Sequence, residues 1–137
     1  MMSYMFYAPT RVLFGAGQLN KLHEQAMPGK KAMLVISNGK STRMSGALDR
    51  TTEQLRAAGV DVALFDKVGA NPLKSTVEEG ADFARSNGCD FVVALGGGSV
   101  MDAAKVMAMY APQPGDLWDY VPGATGKMQP LVNSVLP

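Results

Sequence analysis

Residues Phe91–Lys105 read FVVALGGGSVMDAAK. An unbroken apolar run, Phe91 to Leu95, enters three glycines, Gly96 to Gly98, and then a helix opened by Ser99 and carrying Asp102 and Lys105. A strand that ends in glycines at a helix start is suited to holding phosphate. The first-turn N–H groups have no partner inside the helix, and the helix dipole favours negative charge there. Glycine puts no side chain in the way of an approaching anion. A tight turn with Ser99 as helix cap and Asp102 completing an S-x-x-D box explains the two polar residues equally well. It does not explain three successive glycines.

The helix that follows is apolar or small nearly all round, so burial on most sides is expected. Its strongly polar positions, Ser99, Asp102 and Lys105, are spaced three apart and share one stripe. Such a stripe suits a ligand or a second domain across a cleft, or an ordinary Asp–Lys pair on a solvated face. Gly15-Ala16-Gly17 begins like G-x-G-x-x-G, but Asn20 stands where the third glycine belongs, so a plain turn is expected. Ser37-Asn38-Gly39-Lys40 follows the first apolar run. Dinucleotide sites often place an acid at such a strand end to bind ribose hydroxyls. Asn38 can also bond a hydroxyl and would not repel a 2′-phosphate, which Lys40 would attract. Asn-Gly favours a turn on backbone geometry alone, so both readings stand.

The elements around these residues alternate. Tyr4–Tyr7 and Arg11–Phe14 are expected as two strand pieces around Ala8-Pro9-Thr10. Gln18–Ala26 is expected as a short helix, Ala32–Ile36 as a strand, 45–58 as a helix ending at Gly59, and Val60–Phe65 as a strand. After Asn71-Pro72, Ser75 with Glu78 forms the pattern of a capping box for a helix that stops at Gly88. Phe91–Leu95 and the helix from Ser99 to about Tyr110 complete the repeating part. Apolar strands alternating with helices predict an α/β fold, a doubly wound parallel sheet of Rossmann-like kind. Right-handed crossovers then bring the loops after the three strands to one edge of the sheet, where ligands of such folds bind. Beyond Ala111 the chain holds five of its eight prolines and no clear period. Asp116–Tyr120 is expected as a helical turn and PLVNSVLP as a strand cut short.

Composition narrows the partners. With 137 residues, 47% of them hydrophobic, the chain is the size of one soluble domain. A formal net charge of +1 gives no reason to expect nucleic acid or a membrane surface. No apolar run approaches the roughly 20 residues of a membrane span. The opening residues are not expected to act as a secretory signal. One cysteine, Cys89, precludes an intrachain disulfide and fits a cytoplasmic location; it reads as a small buried residue. His23 is the single histidine and reads as a surface residue. A metal site of several histidines or cysteines cannot be assembled from this chain alone.

Taken together, G-G-G-S-x-x-D-x-x-K after an apolar strand, RVLFGAG at 11–17, Asn71-Pro72 and the Asp116–Tyr120 segment resemble the iron-containing alcohol dehydrogenases, the group with lactaldehyde reductase and butanol dehydrogenase. The resemblance covers nearly the whole chain but only the N-terminal part of the family's length. It implies a dehydroquinate synthase-like, NAD(P)-binding domain, here residues 1–137. In the family an all-helical domain follows and holds a divalent metal, usually iron. Carried over by position, Gly97, Gly98 and Ser99 would hold the pyrophosphate. Asp102 would sit near the nicotinamide ribose or order that turn. Asn71 would line the adenosine side. Asn38 stands where NAD-preferring members usually have Asp, so NAD and NADP both remain open. The family's metal ligands, an Asp and three His, lie beyond this chain, as does its threonine-rich cofactor loop. The chain is therefore expected to be a truncated or proteolytic piece, or the product of an incomplete gene. The implied parent activity is metal-dependent hydride transfer between a small alcohol or aldehyde and NAD(P), in a homo-oligomer; the isolated chain is expected to be inactive. Glycerol or glycerol-1-phosphate dehydrogenases share the architecture. A non-catalytic nucleotide-binding or assembly module is the reading from another class.

Overall fold

The five apolar residues Ala32 to Ile36 are wholly buried, and they form the middle of the sheet. A strand with both faces in the core needs a neighbour on each side and helices above and below. A computed structural model, describing residues 1–137, supplies all four. Strand β1 (Lys31–Ser37) lies between β2 (Asp61–Val68) and β3 (Phe91–Ala94). All pairings are parallel, with Leu34 level with Leu64 on one side and Val93 on the other.

Period-2 alternation sends β1 side chains to opposite faces. Met33 and Val35 join a large apolar cluster with Val77, Ala81, Val100 and Met107. These partners come from helices α3 (Lys74–Ser86) and α4 (Gly98–Tyr110). Ala32 packs the other way, with Leu55, Val60 and Phe91. Leu55 belongs to helix α2 (Ala47–Ala57), which follows the single-turn helix α1 (Ser41–Met44). Helices thus cover both faces, as the doubly wound reading requires.

The topology fixes where a ligand can lie. From β1 the chain winds through α2 to β2 on one side; from β2 it crosses through α3 to β3 on the other. The winding sense reverses between β1 and β3. In open α/β sheets the crevice beyond the strand ends at that point takes the ligand.

Several local expectations are corrected. Tyr4–Tyr7 and Arg11–Phe14 form no strand: residues 1–14 have no regular secondary structure, are exposed and make no hydrogen bond. These β-prone segments pair with no strand of this chain, and strand propensity without a partner is not a strand. The short helix expected at Gln18–Ala26 is a 3-10 helix that ends at Glu24. The helix expected over 45–58 is α2 alone, starting at Ala47; Ser45 and Gly46, the latter at φ 72°, part it from α1. Ser75 caps nothing; α3 begins one residue earlier, after an extended Leu73. PLVNSVLP is not a strand, although Val92 N–H donates to the Pro137 carbonyl at 2.8 Å beside β3. The helical turn at Leu117–Tyr120 does form, and the Asp116 carboxylate caps it through the Trp118 N–H.

Candidate dinucleotide site

The three loops at the C-terminal ends of the strands are tied into one edge. Asn38 N–H donates to the Val68 carbonyl at 2.9 Å, joining the ends of β1 and β2. Leu95 N–H donates to the Val35 carbonyl at 2.9 Å, joining β3 to β1. The Ser99 hydroxyl donates to the Ala70 carbonyl at 2.9 Å, joining the start of α4 to the loop after β2. That last bond corrects the sequence reading. Ser99 lies inside the first turn of α4, whose cap position is Gly97 and has no side-chain cap. The serine spends its hydroxyl on holding the Gly69–Leu73 loop beside the glycines, and no S-x-x-D box forms.

The three glycines have separate causes. A Cβ on Gly96 would come within 2.8 Å of Val100 Cγ2, so that glycine is demanded by packing between β3 and α4. A Cβ on Gly97 or Gly98 would meet nothing within 4 Å. None of the three has a positive φ. Neither backbone conformation nor internal packing therefore requires glycine at 97 and 98; their bare surface faces open space. The N–H groups of Gly97, Gly98 and Ser99 donate to no protein acceptor. Unpaired donors at the start of a 13-residue helix, with the dipole behind them, suit a pyrophosphate. The residues present fit a dinucleotide.

Of the other residues singled out, Asn38 lies one strand over, its side-chain nitrogen 3.9 Å from the position of a Cβ on Gly69. Asn71 is exposed in the loop that Ser99 anchors. Asn38, Asn71 and Gly97–Ser99 thus share one edge. Asp102 and Lys105 are 79% and 77% exposed, with 3.9 Å between their charged atoms. This is the geometry of a solvated pair, and nothing in the chain covers it. Gly15 and Gly17 both take positive φ, and the second precedes the 3-10 helix, so that motif is a plain turn.

Two residues escaped the sequence reading. Arg43 in α1 and Asp66 in β2 pair at 2.5 Å and, with Asn38 and Lys40, line a recess of about 370 Å³ beside the strand ends. Charged residues 23 positions apart on different elements leave no spacing signal; only the fold brings them together.

No metal centre arises from these residues. No group of three or more His, Cys, Asp and Glu comes close enough to hold a metal ion. His23 instead binds Gln54, its Nδ1 2.6 Å from the amide oxygen, and so ties the 3-10 helix to α2. These residues do not fit iron. Cys89 is buried and free, and burial pushes its thiol pKa up, away from the reactive thiolate.

Comparison with known proteins places this geometry. The family model "Iron-containing alcohol dehydrogenase" matches residues 9–137. The chain is 38% identical over 130 residues to a probable NADH-dependent butanol dehydrogenase 1 of Bacillus subtilis, covering 95% of this chain and 33% of that protein. It is 36% identical to the 1,3-propanediol dehydrogenase of Citrobacter freundii, covering 96% of this chain and 36% of that one. Among solved structures, NADH-dependent butanol dehydrogenase A of Thermotoga maritima superposes with a TM-score of 0.87 at 31% identity, over 100% of this chain and 33% of that one. Sulfoacetaldehyde reductase of Bifidobacterium kashiwanohense, solved with NAD+, gives 0.79 at 27% identity, over 100% and 35%. The chain spans about a third of the length of these relatives. With a match over nearly its whole length and the same fold, the chain belongs to the iron-containing alcohol dehydrogenase family.

Proposed function

We propose that this chain is the cofactor-binding part of an alcohol dehydrogenase that moves hydride between a small alcohol or aldehyde and a nicotinamide dinucleotide. The observation that carries the reading is the pair Gly97 and Gly98. Both are glycines that the protein's own packing and backbone do not need, beside unpaired N–H donors. On this reading those N–H groups bind the pyrophosphate. Ser99 positions the neighbouring loop, Asn71 lines the adenosine side, Asn38 meets the ribose, and Asp102 stands toward the nicotinamide end. A bound dinucleotide supplies the hydride acceptor or donor; the residues of this chain bind and orient it. The names of the relatives, butanol and propanediol dehydrogenases, support a small alcohol as the substrate class.

Calorimetric titration with NAD and NADP tests the reading. Binding of either, without NADH production from butanol and added Fe²⁺, is the expected result. Absence of heat with both at millimolar concentration overturns the cofactor assignment.

One observation favours a second role. Tyr4, Met5, Phe6 and Tyr7, with Val12 and Phe14, expose an apolar arm that the rest of the chain leaves uncovered. This arm supports self-association, as an assembly module or as part of a homo-oligomeric enzyme.

A further inference from the structure

The recess beside Asn38 has a composition of its own. Met44 is its one hydrophobic lining residue, whereas the groove between β3, α4 and the C-terminal residues is mostly apolar. It holds two cations, Lys40 and Arg43, and one carboxylate, Asp66. That carboxylate is engaged by Arg43 at 2.5 Å, with the two side chains 42% and 44% exposed. Lys40 joins no ion pair. The recess therefore presents an unpaired ammonium, a guanidinium held in place, and the neutral amide of Asn38. A guanidinium with one edge on Asp66 still has donors to offer, in a planar fork that matches phosphate.

Position matters as much as charge. The recess lies on the β2 side of the end of β1, while the bare glycines lie at the end of β3 on the other side. A dinucleotide with its pyrophosphate at Gly97–Ser99 would run its adenosine over the end of β1 and set the ribose at this recess. A ribose with free hydroxyls is best met by a carboxylate, which accepts two bonds. Here the strand end carries an amide, and the nearby carboxylate is already paired.

We propose that the recess selects a phosphate monoester on the adenosine ribose, so that Lys40 and Arg43, the latter positioned by Asp66, give the chain a preference for NADP over NAD. The proposal rests on reading the strand-end edge as a dinucleotide site. A ribose phosphate brings nearly two negative charges into a recess with one cation unmatched, and charge-assisted bonds to it have no counterpart with a free hydroxyl.

Titration of the 137-residue chain with 5′-AMP and with adenosine 2′,5′-bisphosphate tests this without metal or turnover. The bisphosphate is expected to bind at least about tenfold tighter, with an advantage that shrinks as salt is raised. Lys40→Ala, Arg43→Ala (which also frees Asp66 to repel phosphate) and Asn38→Asp are each expected to cut the ratio of the two affinities by about tenfold. Equal affinity for the two nucleotides, or a ratio unmoved by Lys40→Ala, overturns the proposal and leaves the dinucleotide reading intact. Binding of neither nucleotide overturns both.

Discussion

At the scale of single residues, adjacent glycines answer to different demands. Gly96 is closed in by Val100, a β-branched side chain that is itself buried and stiff at χ1. Gly96→Ala is expected to destabilise the fold by about 1–3 kcal/mol, the usual cost of overpacking, seen as a lower denaturant midpoint at unchanged m-value. Gly97→Ala points its methyl into open space, and its φ of −86° suits any residue. Its stability is expected to stay within about 0.5 kcal/mol of the parent, while NAD(P) affinity falls by about tenfold or more. Loss of stability with unchanged binding would reverse the roles given to the two positions. Cys89 shows burial setting reactivity. Its thiol pKa is pushed up by desolvation, so alkylation by iodoacetamide at neutral pH is expected to be slow until the chain is unfolded. Rapid labelling of the folded chain would show that this thiol is open to solvent.

Elements meet where small residues permit. Helices α3 and α4 approach at Gly80, where an added Cβ would lie 2.4 Å from Met107 Sδ. Two effects oppose each other in Gly80→Ala. Helix propensity favours alanine by about 1 kcal/mol. Overpacking against a wholly buried Met107 costs about 1–3 kcal/mol. Net destabilisation is expected, and Met107→Ala in the Gly80→Ala background should cost less than Met107→Ala alone, a coupling that a double-mutant cycle measures. Strand starts are held in another way. The Asp90 carboxylate, just before β3, accepts N–H groups from Lys30 and from Lys31 at the start of β1, at 2.9–3.1 Å. Those bonds draw its pKa below the ordinary aspartate value of 3.8. A group with a depressed folded pKa stabilises the fold above its unfolded value, and the contribution is lost as pH falls through the folded one. Stability should therefore decline below about pH 4, and Asp90→Asn should flatten that decline. A decline of the same slope in Asp90→Asn would assign it to other carboxylates, such as Asp116, whose pKa is also lowered, first by its bond to Lys74.

Across the whole molecule, a closed doubly wound core coexists with an arm that has no place in it. Residues 1–14 contribute no buried residue and no hydrogen bond to this chain, yet carry most of its exposed aromatic side chains. Exposed apolar surface on this scale marks an interface. Removal of Met1–Arg11 is expected to leave the unfolding temperature within a few degrees, since none of these residues enters the core. The mass by light scattering should fall toward that of a monomer. A parent chain that is itself monomeric, or an unchanged mass, would overturn this role for the arm.

The sequence was most legible where one property decides the outcome. The AMLVI run had to be a central strand, because five successive apolar residues can be buried only with partners on both sides. The order of strands and helices then implied a parallel sheet with Asn38, Asn71 and Gly97–Ser99 in the loops at one edge of it. Local propensity misled where partners decide. The N-terminal segments look like strands and stay unpaired, and Ser75 and Ser99 look like caps but sit inside their helices. Only the tertiary structure separated Gly96 from Gly97 and Gly98, because space above a residue belongs to neighbours distant in the chain. Only it brought Arg43 and Asp66 to Lys40 and Asn38. Periodicity and composition are written along the chain, but the charge of a recess is set by which loops the crossovers bring to the same end of the sheet.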